Sequence, residues 1–187
     1  MPRIIPAAAL AACLMPAPAL ADDITDALNA AIAAYEAGDI QDALEETAYA
    51  TQLLNDLKSE GLEAFLPEPL PGWTREVSEE AAQGLGFMGG GSSAEADYTG
   101  PDGRFTIVMV ADNPMVGAMA GLLGNATIMA TMGRIERING ESFLNADNEL
   151  SGLIDGRVLI QASGAPVEVM AEHLKQVDFE ALAELGG

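Results

Sequence analysis

Two segments with a turn dipeptide at their centre place the strongest constraint on how this chain can fold. Residues 134–146 are centred on Asn139-Gly140, and residues 149–162 on Asp155-Gly156. Both dipeptides favour the positive φ angles of a two-residue hairpin turn, and strand-forming residues flank each of them. The C-terminal half of the chain is therefore predicted to contain two antiparallel hairpins.

Two earlier segments and a final helix complete a predicted α+β domain over residues 73–187. Residues 93–98 alternate apolar and polar side chains, and residues 104–111 are mostly apolar, which is typical of a central strand. Residues 166–185 carry an apolar stripe at helical spacing. The order of strands, helix, strands and helix predicts an antiparallel sheet with packed helices.

Residues 22–66 are predicted to form an acidic helical hairpin. They contain no proline, and apolar residues recur at helical spacing while acidic residues occupy the other faces. Gly38 and Asp39 lie between the two helical stretches. Glycine commonly ends a helix and aspartate commonly caps the next one, so the turn is expected at these two residues.

Residues 24–54 resemble a single unit of the tetratricopeptide repeat. The residues that match its glycine, its aspartate and its small packing positions are Gly38, Asp39, Ala43 and Ala50. Ala27 and Thr47 depart from the pattern, since the repeat has aromatic residues there, and no second copy follows. The alternative is an ordinary antiparallel hairpin. A lone unit cannot bury its own face, so either structure suits docking or oligomerisation better than catalysis.

A proline-rich segment, residues 67–72, is predicted to be a hinge between the hairpin and the α+β domain. Pro67, Pro69 and Pro71 favour extended backbone and stop a helix. Trp73, the only tryptophan, follows directly. It is interpreted either as a plug at the hinge or as part of a binding groove.

The first 21 residues match a secretory signal peptide. One charge, Arg3, precedes an apolar run, and Ala19-Leu20-Ala21 has the small-x-small pattern of a cleavage site. Cleavage after Ala21 would leave a mature chain without cysteine, which fits the oxidising periplasm. Two alternatives stay open: an apolar helix of the folded domain, and a lipoprotein signal, because residues 10–13 resemble the lipobox that attaches a lipid to Cys13.

Residues 114–133 carry no charge and include four methionines. A helix buried against the sheet, a helix that contacts a membrane or a partner, and a transmembrane helix all fit this pattern. Glycines and threonines dilute the hydrophobicity, which favours the buried helix. We expect a break near Gly124-Asn125 and a close approach to the sheet at Gly117 and Gly121.

Composition excludes several functions. Eight Lys and Arg against 29 Asp and Glu give a net charge of -21, so the chain lacks the cations that nucleic-acid binding needs. The single cysteine excludes a disulfide framework. Residues 84–89 match GxGxxG without the flanking strand and helix of a dinucleotide site, so a mobile loop is expected over residues 84–93. His173 is expected beside the apolar stripe of the last helix, as a residue at the boundary of that stripe. No catalytic, cofactor or metal site is predicted.

These features favour an exported, non-enzymatic accessory or binding protein of the cell envelope. Its partner is expected to be an envelope protein or a small apolar ligand, and membrane association is not favoured. Binding would use a cleft beside the uncharged helix or a groove near the tryptophan. The candidate binding residues are Trp73, Phe87, Met88, Met115 and Met119. The alternatives are an envelope hydrolase with two carboxylates, one of them buried, and a membrane-anchored protein.

Overall fold

The computed structural model describes residues 20–78 and 90–185 and has the predicted α+β fold. Two N-terminal helices precede a seven-stranded antiparallel sheet and further helices. The helices are α1 (Leu20–Ala37), α2 (Ile40–Glu63), α3 (Pro114–Leu123), α4 (Ala126–Met132), α5 (Val167–Leu174) and α6 (Phe179–Glu184). The strands are β1 (Thr74–Val77), β2 (Ser92–Gly100), β3 (Gly103–Ala111), β4 (Arg134–Ile138), β5 (Glu141–Ala146), β6 (Glu149–Ile154) and β7 (Val158–Ser163).

The sheet joins two meanders in the order β1-β2-β3-β7-β6-β5-β4. They meet where β3 pairs with β7. Both predicted hairpins are present: Asn139 and Gly140, with φ of 48° and 92°, connect β4 to β5. Asp155 and Gly156, with φ of 48° and 70°, lie between β6 and β7. Strand β1, which pairs with β2, was not predicted.

Alternate residues of the central strand β3 contribute to two hydrophobic clusters, one on each face of the sheet. Ile107 and Met109 belong to the larger cluster, which also contains residues from the end of α2, from α5 and from α6. Val110 belongs to the smaller cluster, which contains buried residues of α3 and α4. The two helical layers therefore cover opposite faces.

The N-terminal hairpin turns where the sequence predicted. Gly38 has a φ of 83°, and its amide and that of Asp39 bond to the carbonyls of Tyr35 and Ala34, which closes the end of α1. The Asp39 carboxylate accepts the amide of Asp42 at 3.1 Å and caps α2. The prediction of a helical hairpin is confirmed.

The chain divides into two compact units between Ala50 and Thr51, inside α2, whereas the sequence placed the boundary at residues 67–72. The later half of α2 belongs to the second unit because Leu62 is fully buried in the larger cluster. The Ser59 hydroxyl also accepts a hydrogen bond, at 3.1 Å, from the amide of Ser93, the second residue of β2.

The proline-rich segment lies inside the second unit, so the predicted hinge does not fall at the boundary between the two units. The Tyr98 hydroxyl donates to the Pro67 carbonyl at 2.6 Å, and the Arg75 guanidinium donates to the same carbonyl at 3.2 Å. The Gln176 side chain donates to the Glu68 carbonyl at 3.0 Å. These bonds supply partners for a backbone that has no ladder of its own.

The prediction of one continuous helix over residues 166–185 is wrong, because residues 175–178 separate α5 from α6. The Asp178 carboxylate accepts the Ala181 amide at 3.0 Å and caps α6. The Asn139 side chain donates to the carbonyls of Lys175 and Val177, at 2.8 and 3.3 Å, so the β4–β5 turn bonds to this break.

Candidate functional site

Trp73 lies in an aromatic cluster on the face of the larger core. Its ring centroid is 5.2 Å from that of Phe105 and 5.2 Å from that of His173, both in edge-on contact. The ring also covers Gly100, where an added Cβ would overlap it. These contacts favour the role of a plug over that of a groove, because they use the ring for packing.

His173 is buried in the same cluster, with 0% of its surface exposed. The Leu70 amide donates to Nε2 at 3.4 Å, so Nδ1 carries the proton and donates to the Val169 carbonyl at 2.9 Å. The expectation that His173 lies at the edge of the apolar stripe is therefore wrong, because its side chain is fully buried. With both ring nitrogens engaged inside the core, this histidine has a packing role and no free nitrogen for a substrate or a metal.

Tyr98 completes this cluster, stacked on Phe105 with ring centroids 4.7 Å apart. Burial raises the pKa of the Tyr98 phenol above its ordinary value, and the nearby Arg75 guanidinium offsets only part of that rise. The Tyr98 hydroxyl thus stays a proton donor to Pro67 over the physiological range.

Helices α3 and α4 present an uncharged surface on the other face of the sheet. They bury Val116, Leu123 and Met129 against the smaller cluster. Their outward residues are apolar or small, and Met115, Leu122 and Met132 are 44%, 38% and 49% exposed. We call these three residues, with the exposed residues between them, the α3–α4 surface.

The break and the glycines of this segment have different outcomes. The break near Gly124-Asn125 is confirmed, since the Asn125 side chain accepts the amides of Thr127 and Ile128 and caps α4. The expectation that Gly117 and Gly121 allow a close approach to the sheet is wrong. An added Cβ at either glycine would meet nothing within 4 Å, so both face away from the sheet.

In the part of the chain that the structure describes, no single helix is long and apolar enough to cross a membrane. The pair α3 and α4 together has the length and composition of a span, but the two helices meet at a bend of 87°.

The predicted binding residues are not brought together in one groove. Trp73 packs on the larger cluster, whereas Met119 packs on the smaller one, across the sheet. Met115 lies in the first turn of α3, close to Met119. Phe87 and Met88 lie outside the described residues, as do residues 84–89 of the predicted loop. The end of that prediction is wrong, because Ser92 and Ser93 begin strand β2.

An open cleft of about 920 Å³, which the sequence did not predict, lies between strand β4 and helix α5. Its lining combines Arg134, Glu136 and Arg137 of β4 with Glu172 and Lys175 of α5 and its C-terminal end. One signal was available: a chain with eight Lys and Arg places two of them in a single five-residue strand. The helix that forms the opposite wall lies far along the sequence, so spacing could not reveal it.

The chemistry required by the hydrolase alternative is not found among the described residues. No Asp or Glu in residues 23–78 and 90–185 is buried, whereas that alternative needs a carboxylate in an apolar pocket. In the same ranges, no three His, Cys, Asp or Glu residues lie close enough to hold a metal ion.

Comparison with protein families, with curated proteins and with solved structures finds no match for this chain. Its function must therefore be argued from its own surfaces.

Proposed function

We propose that this chain is an exported, non-enzymatic protein of the bacterial cell envelope that binds another envelope protein through the α3–α4 surface. One observation carries the proposal. A chain with a net charge of -21 leaves residues 114–133 without a charge and exposes Met115, Leu122 and Met132 there.

The energetics of exposed apolar surface support a binding role. Contiguous apolar patches are uncommon on monomers and often mark interaction sites. The centres of protein interfaces are also depleted of charge and enriched in methionine, whose flexible thioether side chain adapts to irregular surfaces. The hairpin also exposes large apolar residues, including Tyr35 and Leu44, but acidic residues lie among them there, and the net charge would keep the protein soluble.

Export is supported by the N-terminal sequence. The charge at Arg3, the apolar run and the Ala19-Leu20-Ala21 pattern fit recognition and cleavage by the secretion machinery. A mature chain that starts at Asp22 has no cysteine, which suits an oxidising compartment.

Intact mass after cell fractionation tests the export half of the proposal. The expected result is a periplasmic protein whose mass corresponds to a start at Asp22. A start at Cys13 with added acyl chains would replace the soluble protein by a lipid-anchored one. A cytosolic protein that retains Met1 would overturn the assignment to the envelope.

Paired charged variants test the binding half. Met115→Glu with Met132→Lys places an acid in the first turn of α3 and a base in the last turn of α4, where helix dipoles favour them. Net charge is unchanged. The control is Ala64→Glu with Ala181→Lys, at exposed positions outside both helices.

The readout is cross-linking of the mature chain to proteins of the envelope fraction. We expect wild type and control to capture the same protein and the α3–α4 variant to lose at least about tenfold of it, since two charges would be buried at the interface. Equal capture by the α3–α4 variant would contradict the proposed surface.

A further inference from the structure

Strand β4 is the last strand of the sheet and pairs only with β5 among the described strands. An edge strand leaves half of its backbone N–H and C=O groups without a ladder partner. β4 is five residues long, so it could pair with a short extended segment along its whole length.

The turn register identifies the unpaired groups. Ile138 pairs with Glu141 across the two-residue turn, and residues that flank such a turn exchange backbone hydrogen bonds. Because bonded and non-bonded pairs alternate, Glu136 and Arg134 also bond to β5. The N–H and C=O groups of Ile135 and Arg137 therefore point to the free edge.

The cleft described above borders β4 and α5, and its lining continues on the paired side of β4 to Asn145 of β5 and Glu149 of β6. Its volume of about 920 Å³ is near the upper end of ordinary ligand pockets. Arg134 and Glu136 are two residues apart and share one face of β4. The Arg134 guanidinium lies 3.9 Å from the Glu136 carboxylate, too far for a hydrogen bond. The Glu136 carboxylate accepts the Asn145 side-chain amide at 3.4 Å and has further acceptor capacity for a base on a peptide.

We propose that the free edge of β4, next to this cleft, binds an extended peptide that adds a strand to the sheet. Only a polypeptide backbone offers donors and acceptors with the spacing that Ile135 and Arg137 present. The side chains select the sequence: opposite charges on directly opposed residues stabilise a strand pair. The favoured peptide thus has an acid opposite Arg134 and a base opposite Glu136.

The same charges explain why β4 would not pair with any strand it meets. Charged side chains on an edge strand oppose pairing with uncharged segments, because their desolvation is not offset. This site lies at the edge of the sheet and does not include the exposed residues of α3 and α4, so it does not depend on the function proposed above.

The test uses the full mature chain and an acetylated, amidated peptide of sequence TEVKVET. This sequence reads the same in both directions, so it presents the acid–base pattern whichever way it lies. We expect saturable shifts of the Ile135 and Arg137 amide signals in NMR titration and protection of both amides from hydrogen exchange.

The first control is the same peptide with its three central amides N-methylated, which keeps every side chain but removes the backbone N–H donors. Its affinity should fall at least about tenfold.

Two variants of the protein distinguish the contribution of the Arg137 backbone amide to peptide binding from that of the Arg137 side chain. Arg137→Pro removes the edge amide, and Arg137→Ala keeps it, so the first should bind at least about tenfold more weakly than the second. If Arg137→Pro fails to fold, the N-methylated peptide still decides the question with the wild-type chain. Equal affinity of the two peptides, shifts confined to other amides, or no saturable shift at a peptide concentration of about 5 mM would overturn the proposal.

Discussion

At the residue scale, a few polar side chains tie irregular backbone to the core. Tyr98 and His173 are both fully buried, and each directs a polar atom at the proline-rich segment. Without these side chains the Leu70 amide would lose its partner and the Pro67 carbonyl would keep only the Arg75 guanidinium, at 3.2 Å. A buried polar group left without a partner costs about 1–3 kcal/mol. Tyr98 and His173 thus bond to backbone groups of a segment whose prolines lack the N–H groups that a regular ladder of hydrogen bonds needs.

Tyr98→Phe should remove about 1 kcal/mol from the free energy of unfolding near neutral pH, because the bond to Pro67 is lost while the ring stays packed. The pH dependence has a definite sign. Burial raises the Tyr98 pKa, so the folded chain holds this proton above pH 10.0, the ordinary pKa at which the unfolded chain releases it. Stability from this group is present below that pH and is lost as pH rises above it.

Urea unfolding at about pH 7 and about pH 11 checks both statements. We expect the wild-type protein to lose more stability between the two pH values than Tyr98→Phe does. The two proteins share every other ionisable group, so the contributions of those groups cancel in the comparison. Parallel losses in the two proteins would contradict the assignment.

At the element scale, local signals predicted structure well. Asn139-Gly140 and Gly38-Asp39 require positive φ or a cap at defined positions, and the structure turns at both pairs. At the break over residues 175–178, two backbone carbonyls accept hydrogen bonds from the Asn139 side chain of the β4–β5 turn. The helical periodicity of residues 166–185 cannot reveal a contact with a turn so far away in the sequence. Strand β1 was missed because four residues give too short an alternation.

The candidate sites show the same division between local and tertiary information. The absence of charge in residues 114–133 pointed to this segment and to Met115, which is exposed in the structure. The direction in which Gly117 and Gly121 face depends on how α3 packs on the sheet, which the sequence does not show. The cleft beside β4 joins residues 134–149 with residues 163–175, and only the sheet order brings them together. Spacing along the chain carries no information about that pairing.

The outward position of the α3 glycines leads to a stability prediction. Gly117→Ala and Gly121→Ala should each stabilise the protein by about 0.5–1 kcal/mol, because alanine favours the helix and its methyl group meets open space. Gly100→Ala should instead destabilise it by about 1–3 kcal/mol through overlap with Trp73. Thermal unfolding measures all three, and the emission of the only tryptophan should shift in Gly100→Ala alone.

At the scale of the whole molecule, the second unit contains the sheet and both of its hydrophobic clusters. The larger cluster begins at Leu62 and the smaller one lies within residues 108–159. No residue of the first unit, which ends at Ala50, is a member of either cluster. The core of the second unit is therefore complete without the hairpin turn at Gly38.

A chain that starts at Thr51 should consequently fold, with the tryptophan emission and cooperative unfolding of the mature protein, because it keeps Leu62, Leu66 and the bond from Ser93 to Ser59. A chain that starts at Pro67 is the matched comparison. It loses two buried leucines, each of which contributes about 2–5 kcal/mol in a packed core, and the carbonyl of Leu66 that accepts from Arg75. That sum approaches the whole stability of an ordinary domain, so the shorter chain should be unfolded by circular dichroism and fluorescence. Similar melting of both fragments, or loss of structure in the one that starts at Thr51, would show that the boundary inside α2 is misplaced.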